Sequence, residues 1–224
     1  MSESFFSLWK KKDLLRQSLD EAYKMMEKAE EMFKFATEVL FEKQSETKDI
    51  YIQDQLINRY EIDIRRKILE HLSINPREDI TSSLILTSVV IDIERIGDFS
   101  KNIIELARIY PERLTGRKYV PEILKLREKV DELFNLTKES FREEDIEKGK
   151  IVMGQHARIA KECDSMLESL IKDERRRDKQ AIACDRAIVC ALAARYLKRV
   201  SAHLKNVASS VVNPFQRLGF KPQE

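Results

Sequence analysis

From Leu15 onward, apolar residues recur at Leu15, Leu19, Ala22, Met26, Ala29, Phe33, Ala36 and Leu40. Spacings that alternate between four and three residues place all of these on one side of an α-helix, the stripe of a helix packed in a bundle. The pattern predicts a first helix over 13–45. A second, over 48–73, turns Ile57, Tyr60, Ile64, Ile68 and Leu72 inward. It ends before Asn75-Pro76, because the residue preceding a proline is pushed out of the α region. A third runs from about Asp79 to about Arg108 and stops at Tyr110-Pro111.

Residues 110–121 contain Pro111, Gly116 and Pro121 and no apolar period, so they connect two halves. The period then restarts with Ile123, Leu126, Val130, Leu133, Thr137 and Phe141. A shift of 104 residues carries Met26 onto Val130 and Ala29 onto Leu133; it also carries Arg95 onto Arg199, Lys101 onto Lys205 and Asn102 onto Asn206. Two separate helices sharing one offset point to a duplicated three-helix unit, with the remaining helices over 120–145, 147–173 and 178–211. The expected fold is all-α, a tandem repeat of two three-helix bundles related by a pseudo-twofold. Its expected parts are an N-terminal aromatic and basic arm (1–12), a first repeat (13–109), a connector (110–119), a second repeat (120–211) and a C-terminal tail (212–224). Whether the halves lie end to end or side by side is open at this point.

Composition narrows the reading. Charged residues make up 36% of the 224, against about 25% in an ordinary soluble chain, which suits long helices with large ionic surfaces. Five Gly and five Pro are too few for the many tight turns of an all-β fold. The net charge of +2 supplies no overall field for a polyanion, so no nucleic-acid partner is expected. Cys163, Cys184 and Cys190 lack the paired spacing of a zinc or disulfide framework and are expected as small buried core residues. No apolar run has the length of a signal sequence or of a membrane span, and a cytoplasmic, soluble protein is expected.

The third helix places Asp92, Glu94, Asp98 and Asn102 in one helical run, and steps of four put Glu94, Asp98 and Asn102 in one row. Carboxylates so placed repel, which a cation between them would relieve, and Gly97 allows a neighbouring helix or an ion to come close. The plainer alternative is a solvated acidic face beside Arg95 and Lys101. Other chemistry is missing: the residues three before His71, His156 and His203 are Ile68, Met153 and Val200, so the Glu-x-x-His pairs of a di-iron bundle are lacking. There is no phosphate-cradling Gly-rich loop and no nucleophile in a triad context. Gly149 and Gly154 flank a helix start and read as structural.

The run Asp92-Ile93-Glu94-Arg95-Ile96-Gly97-Asp98-Phe99-Ser100-Lys101-Asn102-Ile103 resembles the signature helix of the PhoU family of phosphate-transport regulators. The Asn75-Pro76-Arg77-Glu78-Asp79 entry, the Asp54-Gln55-Leu56-Ile57-Asn58 segment and the tandem repeat are similar to that family as well, over roughly residues 14–211. The resemblance implies a metal site on adjacent helices with Asp54, Asn58, Glu94 and Asp98 as ligands. An all-oxygen set suits divalent or trivalent ions such as Mg, Ca, Mn or Fe, with Zn also in the range considered. Asn58 in place of a carboxylate lowers the charge and the expected affinity.

The second half departs from the pattern. The 104 shift turns Glu94 into Lys198, Gly97 into Ser201 and Asp98 into Ala202, and the Asp54 and Asn58 slots fall near His156 and Ala160, so metal is expected in the first repeat alone. His203, among Lys and Arg, is expected on the surface. Glu174-Arg175-Arg176-Arg177-Asp178-Lys179 reads as a solvated loop. The arm Phe5-Phe6-Ser7-Leu8-Trp9-Lys10-Lys11-Lys12 suits peripheral contact with a membrane surface, docking to a partner, or packing on its own bundle. The resemblance implies a non-enzymatic regulator of phosphate uptake, without catalytic residues. It would bind a phosphate ABC transporter or other phosphate transporter, or a sensor kinase, through its helical faces and form a homodimer. The rival readings are a metal-dependent helical hydrolase using Glu94 and Asp98, and a metal-free structural adaptor.

Overall fold

The computed structural model describes residues 5–42, 45–77, 79–110, 112–114, 116, 118–176 and 182–221. Six long α-helices account for most of it: α1 (Phe5–Glu42), α2 (Ile50–Ile74), α3 (Ile80–Ile109), α4 (Val120–Glu143), α5 (Ile146–Arg176) and α6 (Cys184–Val212). A 3-10 turn (Phe215–Arg217) follows, and there is no strand among the described residues. Local chemistry sets several boundaries. Asp49 caps α2 by accepting from the Tyr51 N–H at 2.9 Å, and Asn75 ends it before Pro76. Pro121 lies in the first turn of α4, where its missing N–H costs nothing. Between α4 and α5 only Glu144 and Asp145 intervene, Glu144 in the left-handed region (φ 53°) and Asp145 accepting from Lys148 N–H at 2.9 Å.

Two boundaries differ from the sequence expectation. Helix α1 begins at Phe5, so the segment read as an arm is continuous helix from that residue. Helix α6 begins at Cys184 and not near 178, and residues 177–181, among them Arg177, Asp178 and Lys179 of the basic loop, lie outside the described residues. Cys184 is exposed, whereas Cys163 and Cys190 are buried as expected. As the first residue of α6, Cys184 sits ahead of the buried stripe that starts at Ala187.

The stripes assemble as their periods dictate, with Met26, Ala29, Phe33, Leu40, Ile57, Ile64, Ile93, Val130, Leu133 and Val200 all in the core. Helices α1–α3 pack on one another, as do α4–α6, and the two bundles lie side by side through α1 with α4 and α3 with α6. Between α1 and α4, Phe33 packs on Phe134 and Tyr23 on Phe141, both with ring centroids 5.2 Å apart. The buried Glu30 joins the same seam through ion pairs with Lys34 at 2.7 Å and with Lys138. Burial works against its charge, and the two lysine hydrogen bonds outweigh that and hold its carboxyl below the ordinary range.

Helices α3 and α6 run antiparallel. Asp92 faces His203 and Phe99 faces Tyr196. Adding 104 to Asp92 gives Tyr196, and subtracting 104 from His203 gives Phe99, so these two contacts are images of each other under the repeat. Phe99 and His203, themselves 104 apart, stack with centroids 5.7 Å apart and an interplanar angle of 26°, marking the position of the pseudo-twofold.

Candidate functional site

The pairing of α2 with α3 brings together the residues read from the sequence. Gly97 lets Ile57 approach so closely that a Cβ there would sit 3.0 Å from Ile57 Cδ1. With α2 drawn in, Asp54 is joined to Asp98 through Lys101 and acts electrostatically on Glu94. Asn58 Nδ2 points at Asp54 Oδ2, 3.5 Å away. Asn102, one turn beyond Asp98, takes the outward side of α3 and is half-buried.

The cation in this cluster is Lys101. Its Nζ lies 3.1 Å from Asp54 Oδ1 and 3.0 Å from Asp98 Oδ1, bridging the two helices. Burial disfavours the Lys101 ammonium, but the hydrogen bonds it donates to Asp98 and Asp54 outweigh that and raise its pKa. Arg95 flanks the row, with Nη1 2.9 Å from Asp98 Oδ2 and Nε 3.6 Å from Glu94 Oε2. Glu94 keeps an uncompensated share of the negative charge. Burial first, then the neighbouring Asp98, Glu61 and Asp54, push its carboxyl up, against the opposing pull of Arg95. Lys101 sits one turn after Asp98 and Glu61 one turn after Asn58, so the same helical spacing that found the carboxylates also carries these two members.

Among the described residues no three of His, Cys, Asp and Glu converge on one point. In donor chemistry the cluster suits a hard cation: oxygens from two helices and negative charge that Glu94 retains. The place between Asp54 and Asp98 belongs, in this arrangement, to the Lys101 ammonium, which an ion would have to displace.

The equivalent place in the second repeat is built differently. Ser201 replaces Gly97, and His156 Nδ1 lies 3.0 Å from its Oγ. The buried Ile50, Ile57, Ile64 and Ile68 of α2 correspond to the buried Val152, Ile159, Met166 and Leu170 of α5, an offset of 102, so the Asp54 and Asn58 slots are His156 and Ala160, as the sequence register has them. Lys198 pairs with Asp164 on α5 at 2.6 Å. His156 is held neutral, its pKa pushed down to about 4 by burial and then by Lys205 and Lys198. His203, expected on the surface, is instead half-buried in the seam between the repeats. Its Nδ1 lies 2.7 Å from Asp92 Oδ1, which also accepts from Asn206 Nδ2 at 2.8 Å. The antiparallel α3–α6 pairing, which periodicity does not reveal, is what draws it in. Over this seam the tail folds back: Gly219 N–H donates to Ser209 Oγ at 2.7 Å, Asn213 Nδ2 donates to Phe220 O at 2.9 Å, and Lys205 donates to Gly219 O.

Compared with known proteins, the chain matches the family model "PhoU domain" twice, over residues 22–107 and 123–211. The chain belongs to the PhoU family. The two matches fall on α1–α3 and α4–α6, the two bundles of the structure. Members of the PhoU family are known as regulators of phosphate homeostasis rather than as enzymes. Among solved structures, PhoU from Pseudomonas aeruginosa is similar over 93% of this chain and 97% of its own, with 21% identity and a TM-score of 0.67; at that identity the likeness is one of fold. A search of curated proteins gave no match. No helix among the described residues is long and apolar enough to cross a membrane.

Proposed function

We propose that this PhoU-family chain is a non-enzymatic regulator of phosphate uptake that works in the cytoplasm, as a homodimer, by binding a phosphate ABC transporter, another phosphate transporter or an associated sensor kinase. The observation that carries the reading is the family match on both repeats, with the Asp92–Ile103 signature helix intact in the first. Regulation without a catalytic constellation has to come from binding that differs between partner states, because a partner shifts an equilibrium only by its differential affinity. The long α2 and α3 faces supply rigid surface for such binding. Within this reading Asp54, Asn58, Glu94 and Asp98 would hold a divalent or trivalent ion in place of the Lys101 ammonium, and the ion would supply the positive charge for the acidic face to accept carboxylate or phosphate groups. Without it, Lys101 and Arg95 orient Asp54 and Asp98.

The test is association with the purified ATPase subunit of a phosphate transporter, with and without Mn²⁺, for the wild type and for Glu94→Ala/Asp98→Ala. Binding that rises with Mn²⁺ and loses that rise in the double variant supports the whole reading. Equal binding throughout removes the metal from it, and no binding to any transport or signalling component removes the partner.

A further inference from the structure

Charge is distributed unequally over the outward face of the α3–α6 seam. On α3, Arg95 is paired with Asp98 and Glu94, and Lys101 with Asp54 and Asp98. Their images on α6 are Arg199 and Lys205. The replacements that remove Glu94, Asp98 and Asp54 (Lys198, Ala202 and His156) leave these images without acids to meet. Arg199 is exposed with no carboxylate partner among the described residues, and so is Arg195, which stands where the first repeat has Ile91. Lys205 has the carbonyl of Gly219 as its hydrogen-bond acceptor and no carboxylate in ion-pair range, and Lys198 has Asp164.

The exposed cations lie in line with apolar residues. Ile188, Leu192, Arg195 and Arg199 follow steps of four, three and four, one row along α6 of roughly 16 Å at 1.5 Å per residue. Ile188 is 55% exposed and Leu192 36%. Two exposed apolar residues lead into two arginines without carboxylate partners, and Arg is among the side chains that most often carry binding energy at protein interfaces. A flat anionic membrane fits less well. Glu94 and Asp98, beside Arg95 on the α3 helix that packs against α6, would oppose the lipid charge.

We propose that the outward row of α6, Ile188, Leu192, Arg195 and Arg199, docks an acidic, amphipathic segment of a protein partner, with its apolar side chains on Ile188 and Leu192 and its carboxylates on the two arginines. The identity of that partner rests on the regulatory reading above; the surface does not.

The experiment measures two main probes, with a Lys-substituted peptide and anionic vesicles as comparisons, against three proteins: wild type, Arg195→Glu/Arg199→Glu, and a control of equal charge change on exposed residues elsewhere, Lys24→Glu/Lys125→Glu. The first probe is the ATPase subunit of a phosphate transporter. The second is a labelled helical peptide with two Leu one turn apart followed by two Glu one turn apart, read by fluorescence anisotropy. Circular dichroism verifies that each variant is folded. The proposal expects the wild type and the control to bind the peptide, the arginine double variant to lose at least tenfold, and a peptide with Lys in place of Glu to regain binding to that variant. Equal peptide binding by wild type and arginine variant overturns it, as does wild-type binding to vesicles of anionic phospholipid in preference to the peptide. Peptide binding that needs the arginines, with no binding of the ATPase subunit by any protein, keeps the docking row and removes the transporter reading.

Discussion

Replacing Lys101 by Met removes the ammonium while keeping the length of the side chain, and tests whether the acidic groove depends on a resident cation. The structure bounds the size of the effect. Exposed ion pairs contribute about 0.2–1 kcal/mol, whereas removing one partner of a fully buried pair costs about 3–5 kcal/mol. Lys101, Asp54 and Asp98 retain 22%, 14% and 27% side-chain exposure and lie between those limits. Two bridges are lost at once and Glu94 and Glu61 remain nearby, so a loss of about 2 kcal/mol is expected, or roughly 4–8 °C in Tm for a chain of this size. The same term acts in the opposite direction on metal. An ion entering the wild type must evict Lys101, and in Lys101→Met it need not, so Mn²⁺ affinity should rise about 30-fold for 2 kcal/mol. Saturating Mn²⁺ should restore most of the lost Tm. Differential scanning fluorimetry and isothermal titration with Mn²⁺ read both quantities on the same preparations. A Tm within 1 °C of wild type together with unchanged Mn²⁺ affinity would refute the reasoning, because no cation would then be needed between Asp54 and Asp98.

Gly149→Ala should destabilise by about 1–3 kcal/mol, since a Cβ there would lie 2.6 Å from Val212 Cγ2 and 3.3 Å from the Ala208 carbonyl. Gly154→Ala, whose Cβ meets nothing within 4 Å, should stabilise by up to about 1 kcal/mol through helix propensity; equal Tm values for the two would contradict the packing. His156 has a folded pKa of about 4, below its ordinary 6.5. The unfolded chain therefore binds the extra proton first, and stability falls as pH drops from about 6.5 towards 4. His156→Gln should flatten that part of the urea-midpoint profile, and an unchanged profile would count against it. Light scattering at micromolar concentration should give a mass near twice the 26.3 kDa of the chain; a monomer would contradict the dimer.

The helices and the duplication were legible because burial imposes a period on sequence. Met26 and Ala29 recur as Val130 and Leu133, and all four are in the core. The side-by-side placement was not legible, because seam residues such as Phe33 and Phe134 obey the same four-three period as those facing their own bundle. Of the candidate site, Asp54 and Asp98 meet across α2 and α3 through Lys101, while no three of its acids converge on one point. Lys101 was visible in the signature but read as a flanking charge, since one-dimensional spacing gives its distance from Asp98 and not from Asp54 on another helix. His203 misled for a related reason: its Lys and Arg neighbours in sequence point elsewhere, and its partner Asp92 is 111 residues away. The α2-to-α5 offset of 102, against 104 for α3-to-α6, is legible in the buried stripe that carries Ile57 onto Ile159 and Ile64 onto Met166, the two-residue difference being absorbed in the connections.

Uptake of radiolabelled phosphate by cells lacking this gene, with the wild-type gene returned in one strain and Glu94→Ala/Asp98→Ala together with Arg195→Glu/Arg199→Glu in another, tests the central claim most directly. A phosphate-transport regulator predicts uptake that no longer responds to external phosphate in the deletion strain, a response restored by the wild type and not by the combined variant present at equal level. Uptake that responds identically in all the strains would contradict it.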